Sequence, residues 1–226
     1  MRPSGRTYRP VPRCLTEMAY LEAASVYAVG RLARELTTHR APARLKDAAV
    51  RAARDEARHA RVVGVLAEKA GARVPAVRIA PGRARSLRAM AIENAVEGCV
   101  KETFAAAVAL VQAQTAADPE VRTAFRRIAN DERRHAELSW AVARWLDSRL
   151  TVAERRQVLR ARRLAEQQVI AAAARDPERE LVQHLGLPTA KVALGIAKDL
   201  SAALWSSGDA HGLQRRKRAV LPKAAS

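Results

Sequence analysis

The chain is poor in several kinds of residue, and each shortage excludes a class of protein. Only two of its 226 residues are cysteine, and they do not form a Cys-x-x-Cys pair. A disulfide framework and a four-cysteine iron module are therefore excluded. No apolar run reaches about eighteen residues, so no transmembrane segment is predicted. The basic, proline-rich start lacks the apolar centre of a secretory signal, and we expect a cytoplasmic protein.

Aromatic and acidic residues are also scarce. Aromatic residues make up 4% of the chain, whereas Ala, Leu, Val and Arg are abundant. This composition favours an all-α protein. The 41 Lys and Arg residues outnumber the 23 Asp and Glu residues, which gives a formal net charge of +18. Solvated arginines on helix faces account for this charge without a partner. An acidic partner, either RNA or an anionic surface, is the alternative.

A short motif occurs twice in the chain. Residues 55–60 read Asp-Glu-Ala-Arg-His-Ala, and residues 131–136 read Asp-Glu-Arg-Arg-His-Ala. Each copy has a Glu and a His three residues apart, so on a helix the two side chains lie on one face, about one turn from each other. A carboxylate and an imidazole on one face form half of a metal site. The two halves predict a dinuclear site with the ligands Glu56, His59, Glu132 and His135.

Spacing identifies a further glutamate for each half. Glu22 lies 34 residues before the first motif Glu, and Glu97 lies 35 residues before the second. The similar offsets are typical of two duplicated helical hairpins. Glu93 is one turn before Glu97 on the same face, so either can be the main ligand from this helix. Glu102 would lie about 140° from Glu97 around a regular helix, and we therefore predict it to be off the site.

The order Glu … Glu-x-x-His … Glu … Glu-x-x-His resembles the ferritin-like diiron-carboxylate superfamily, which includes rubrerythrins and bacterioferritins. The resemblance covers roughly residues 13–150 and lacks the rubredoxin module of full-length rubrerythrins. It implies a ferritin-like four-helix bundle that holds two Fe ions, with Mn or mixed Fe/Mn as alternatives. Glu56 and Glu132 would bridge the ions, and Glu22 and Glu97 would bind terminally. It also implies that Asp55 orients His135 and that Asp131 orients His59.

The connection between the second and third helices is expected to be long. Residues 72–83 contain two prolines and a glycine and show no helical period. Twelve extended residues reach roughly 40 Å, about the length of a 27-residue helix. The chain can therefore return along the bundle and begin the third helix parallel to the second, as the long B–C crossover of a ferritin-like bundle does.

Four regions are predicted along the chain, with the first helix beginning near Leu15. They are a disordered basic arm (1–12), the four-helix bundle (13–150), a C-terminal helical extension (151–205) and a disordered basic tail (206–226). We expect the helices of the extension to cover one side of the bundle or to form a subunit contact, as in a homodimer.

These patterns predict a dimetal oxidoreductase that activates O₂ or peroxide with an unknown electron donor or small substrate. Three alternatives remain. The protein could sequester iron without catalysis, act as a basic diiron enzyme on RNA, or be a metal-free interaction bundle. The fold alone does not decide between them, because ferritin-like proteins catalyse several reactions.

Overall fold

A computed structural model describes residues 10–79 and 82–205, and within these ranges it is helical without any strand. The all-α prediction is therefore confirmed. The elements are α1 (Pro10–Thr38), α2 (Ala43–Lys69), α3 (Leu87–Glu93), a π-helical segment (Asn94–Glu102), α4 (Thr103–Thr115), α5 (Pro119–Asp147), α6 (Val152–Ala173), α7 (Arg179–Leu185), α8 (Ala190–Leu200) and a π-helical turn (Ser201–Trp205). Among the described helices, none combines the length and apolar character that a membrane crossing requires.

Helix α1 begins at Pro10, earlier than the predicted start near Leu15. Pro10 and Pro12 lie in the first turn, where backbone N–H groups have no acceptor within the helix and proline is tolerated. Val11 and Cys14 pack against the apolar core, so the additional turn buries apolar surface. The predicted arm thus overlaps α1 at residues 10–12. The rest of the arm and the predicted basic tail lie outside the described residues.

The connection between α2 and α3 runs back along the helices. Its described residues have no regular secondary structure. Glu35, near the end of α1, accepts hydrogen bonds from the Nε and Nη2 of Arg85 at 2.7 Å each, just before α3 begins. The end of α1 adjoins the start of α2 because only four residues separate them. Helix α3 therefore begins beside the start of α2, as the length of the connection predicted.

Apolar clusters lie on both sides of the two motifs. Along α2 and α5, one cluster includes Val63 and Ile128. Another includes Ala52 and Leu138. Both motifs fall between these clusters, so their polar side chains lie midway along the helices with apolar layers at each end. This position shields the polar side chains from water.

The C-terminal helices cover the side formed by the π-helical segment and α5. Cys99 and Trp140 belong to a third core cluster together with Ala165 of α6 and Ala197 of α8. Trp205, in the final π-helical turn, donates a hydrogen bond from Nε1 to the carbonyl oxygen of Cys99 at 3.0 Å. These contacts anchor the extension to the segment that carries one of the glutamates of the site.

The π-helical segment makes an unusually close contact with α5. A Cβ atom at Gly98 would lie 2.5 Å from the Oγ of Ser139, so only glycine fits this approach. Asn94 donates a hydrogen bond from Nδ2 to the backbone oxygen of Ser139 at 2.9 Å. Hydrogen bonds in a π-helix span five residues instead of four, so its turns are wider than those of an α-helix. Side chains along the segment therefore face directions that a regular helical period does not predict.

Candidate metal centre

Two overlapping groups of acidic and histidine side chains meet midway along the helices. In each group, every residue offers one possible ligand atom, and these atoms all lie within 4.8 Å of one another. The first group is Glu22, Glu56, His59 and Glu132, and the second is Glu56, Glu102, Glu132 and His135. Glu56 and Glu132 belong to both. Helices α1, α2 and α5 and the π-helical segment all contribute.

The two imidazole rings face the carboxylates in nearly symmetric positions. The Nδ1 of His59 lies 3.1 Å from an oxygen of Glu132 and 3.4 Å from one of Glu22. The Nδ1 of His135 lies 3.2 Å from an oxygen of Glu56 and 3.5 Å from one of Glu102. The ring centroids are 5.8 Å apart. Each ring therefore directs the same nitrogen toward a shared and an unshared carboxylate.

Both Nδ1 atoms are buried and make no hydrogen bond with any residue that the structure describes. A buried polar nitrogen without a partner is rare and requires an explanation. A metal ion bound by the lone pair of each neutral ring would supply the missing partner. The surrounding set of carboxylate oxygens and imidazole nitrogens suits iron or manganese. The residues therefore fit a pair of such ions.

The other nitrogen of each ring faces an aspartate from the opposite motif. The Nε2 of His59 lies 3.1 Å from Oδ2 of Asp131, and the Nε2 of His135 lies 3.4 Å from Oδ2 of Asp55. This is the crossed pairing that the ferritin-like resemblance implied. An Nε2–H that donates to aspartate leaves the lone pair on Nδ1, where the carboxylates converge.

Two arginines hold both aspartates in place. Arg58 donates to Asp55 at 2.7 Å and to Asp131 at 2.6 Å. Arg134 donates to Asp55 at 3.2 Å and also to Asp131. Burial would raise the pKa of each aspartate, but the arginine hydrogen bonds outweigh it and lower both pKa values. Both aspartates thus stay ionised. Sequence reasoning left the arginines open, although their repetition three residues after each motif Asp was the available signal.

The burial of so many acids shifts their proton affinities. Burial raises the pKa of Glu56 to about 7, although the neighbouring imidazole of His135 acts to lower it. Burial also raises the pKa of Glu102 well above its usual range. For His59, burial alone would lower the pKa, but the nearby carboxylates of Glu132, Glu22 and Asp131 raise it to about 10. Protons on the rings thus offset carboxylate charge in the metal-free chain, and metal ions would replace them.

Two glutamates predicted to be ligands lie outside the cluster. Glu97 is on the outer face, with its side chain 57% exposed and 2.8 Å from the Nζ of Lys101. Glu93 pairs with Arg31 at 2.8 Å and with Arg85. The predicted inward orientation of Glu97 is therefore wrong, and Glu93 faces two arginines instead of the cluster.

Glu102 stands in the cluster where Glu97 was expected. The wide turns of the π-helical segment remove the regular rotation on which the prediction depended. The near-equal offsets of the two halves favoured Glu97, and no residue spacing in the chain indicated Glu102.

Comparisons with known proteins add no family assignment. No protein-family model matches the chain, and searches of curated proteins and of solved structures gave no significant match. What the described residues show is a helical chain with buried Glu and His groups that could hold a metal ion. The functional assignment therefore depends on the geometry of this cluster.

Proposed function

We propose that the chain is a ferritin-like dimetal carboxylate protein, an oxidoreductase that uses two iron ions to activate O₂ or peroxide. One observation carries the proposal. Two ligand groups share Glu56 and Glu132, and each group contains a buried imidazole Nδ1 that makes no hydrogen bond within the described chain. Carboxylates common to both groups can bridge two ions, which is the defining feature of a dinuclear carboxylate centre.

Each residue of the cluster has a definite role in this proposal. His59 and Glu22 would hold one ion, and His135 and Glu102 would hold the other. Glu56 and Glu132 would lie between them, and the four carboxylates would offset the charge of two divalent cations. When bound, a pair of iron ions supplies electrons to O₂ or peroxide as the ions change between the ferrous and ferric states.

The arrangement of the helices supports the ferritin-like part of the proposal. Helices α2 and α5 each carry a Glu-x-x-His motif, and α1 and the π-helical segment each add one glutamate. The long connection returns along the helices before α3 begins. This combination of features is typical of ferritin-like bundles.

Exposure indicates the side from which small molecules reach the centre. The side chains of Glu22 and Glu102 are 19% and 29% exposed, whereas that of Glu56 is 4% exposed. The aspartates and arginines lie on the opposite side, behind the rings. O₂ or peroxide would therefore approach between α1 and the π-helical segment.

The test is anaerobic loading with Fe(II), followed by measurement of iron per chain. Wild type should bind about two irons, and Glu56→Gln should lose most of both because it removes a shared ligand. Glu102→Gln should retain about one iron, whereas the matched control Glu97→Gln should retain about two. Glu97→Gln and Glu102→Gln both remove the charge of a glutamate in the π-helical segment, but only Glu102 belongs to the cluster.

Three results would contradict the proposal. The first is a wild-type chain that binds none of Fe, Mn and Zn. The second is loss of metal in Glu97→Gln with retention in Glu102→Gln, which would overturn the ligand set. The third is iron far in excess of two per chain in a mineral form, which would favour sequestration over catalysis.

A further inference from the structure

A cleft between α2 and α5 lies beside the proposed metal centre. Its volume is about 710 Å³, within the range of about 300–1,000 Å³ typical of pockets that bind small organic molecules. Arg44 and Trp145 line it near the start of α2 and the end of α5. Asp55 and His135 line it near the middle of these helices. The cleft therefore extends along the two helices to one imidazole of the proposed metal centre.

Arginines dominate the polar lining of the cleft. Arg44, Arg51 and Arg144 all line it. None of their side chains makes a hydrogen bond or ion pair with another residue in the part of the chain that the structure describes. Guanidinium groups favour carboxylate and phosphate because their N–H groups form paired hydrogen bonds with two oxygens. Three such groups around one concavity attract an anion.

The acids in the lining do not neutralise these arginines. Asp55 is bound by Arg58 and Arg134. Glu137 pairs with Arg133, which lies 2.7 Å away and one turn earlier on α5. The positive charge of the other three arginines therefore remains available to a ligand.

Most of the remaining lining is apolar. The apolar residues are Leu45, Ala48, Ala52, Leu138, Ala141 and Trp145. A set of solvated surface arginines would not need an apolar wall. A ligand with an acid group and an apolar body matches both features.

We propose that this cleft binds a small organic anion with an apolar body. Its acid group contacts Arg44, Arg51 and Arg144, and its body packs against Leu45, Leu138 and Trp145. Binding itself does not require the metal. The further step, that this anion is the substrate of the adjacent centre, rests on the proposed dimetal function. A polynucleotide is the less favoured occupant, because the three free arginines surround a single concavity with an apolar wall.

Calorimetric titration of the metal-free full-length chain tests the proposal. The probes are 2-naphthoate, an anion, and 2-naphthylmethanol, a neutral alcohol with the same ring. We expect one saturable site for 2-naphthoate. The alcohol should bind about tenfold more weakly or worse, because it cannot make the charged contacts with the arginines. The double variant Arg51→Gln/Arg144→Gln should weaken 2-naphthoate binding by about tenfold or more.

Arg160→Gln is the matched control, because it removes an exposed arginine of α6 that lies outside the cleft. It should leave the affinity for 2-naphthoate unchanged. No saturable binding up to about 1 mM, or equal affinity for both probes, would overturn the proposal. Displacement of 2-naphthoate by a short single-stranded RNA whose binding also depends on Arg51 and Arg144 would assign the face to nucleic acid instead.

Iron loading of the same preparation separates this inference from the proposed function. Binding of 2-naphthoate without binding of metal would support the anion site and contradict the dimetal centre. Binding of about two irons without binding of either probe would support the dimetal centre and contradict the anion site.

Discussion

At the scale of single residues, the proposed metal centre would depend on groups that do not themselves belong to the ligand set. Asp131 accepts from His59 and is held by Arg58 and Arg134. These contacts direct the Nδ1 of the ring toward Glu22 and Glu132. Removing one such supporting contact typically lowers metal affinity without removing any ligand.

Asp131→Asn should weaken one of the two metal positions selectively. The amide is neutral and can place its NH₂ toward His59, so the ring loses its preference for a free Nδ1. We expect roughly 10- to 100-fold lower affinity for one ion in an anaerobic Mn(II) or Fe(II) titration. Asp47→Asn, at an exposed position of α2, is the control and should bind as wild type does. Equal affinities in the two variants would show that Asp131 does not orient the ring.

At the scale of elements, the π-helical segment determines which glutamate enters the cluster. Its close approach to α5 is possible because Gly98 has no side chain. A π-helix has less favourable hydrogen-bond geometry than an α-helix, so we infer that the packing against Ser139 offsets this difference. The position of Glu102 therefore depends on a contact formed four residues earlier.

Gly98→Ala should destabilise the protein even though alanine has the higher helix propensity. The new Cβ would lie 2.5 Å from the Oγ and 2.8 Å from the Cβ of Ser139, so the segment must move away from α5. We expect a loss of roughly 1–3 kcal/mol in the free energy of unfolding, measured with urea. Glu102 should move with the segment, so one metal position should weaken as well.

Gly195→Ala is the control for helix propensity, since a Cβ there meets no atom within 4 Å. It should stabilise the protein by up to about 1 kcal/mol. If both substitutions stabilise, the contact with Ser139 does not hold the segment in place.

Regular helical spacing explains how much of the site could be predicted from the sequence. Glu22, Glu56, His59, Glu132 and His135 lie on unbroken α-helices, where spacings of three and four residues place side chains on one face. The structure brings these five together. Glu102 was missed because a π-helix follows another period. The burial of Glu35 was missed because its partner, Arg85, comes from the connection 50 residues later.

At the scale of the whole molecule, the return of the chain between the two helical hairpins is secured by a buried ion pair. Glu35 is 1% exposed and binds the side chain and the backbone N–H of Arg85. Burial would raise the pKa of Glu35, but the hydrogen bonds from Arg85 outweigh it and lower the pKa below its ordinary value of 4.5. The contact therefore joins the end of α1 to the start of α3 while Glu35 is ionised.

This ion pair predicts a pH-dependent difference between wild type and Glu35→Gln. A carboxyl whose pKa is lower in the folded state stabilises the fold above its unfolded pKa, and that contribution is lost as the pH falls through the folded value. The free energy of unfolding of wild type should exceed that of the variant by about 2 kcal/mol at neutral pH. The difference should shrink progressively below about pH 4.5.

Urea denaturation across this pH range measures the difference. Glu17→Gln is the control, because Glu17 forms an ion pair with Arg13 on the surface with its side chain 61% exposed. Its stability should match that of wild type within about 0.5 kcal/mol at each pH. A difference for Glu35→Gln that is constant from neutral to acid pH would show that the charge of Glu35 does not stabilise the connection.

The crossed aspartates have a consequence for how such a chain could have arisen. The ring of each motif is supported by the aspartate of the other, as in the 3.1 Å contact between His59 and Asp131. A half-length ancestor with one hairpin and one motif would hold an imidazole without its aspartate. Such a chain could complete the centre only by pairing with a second copy of itself. In such a history, the long connection between α2 and α3 would correspond to the join between the two copies.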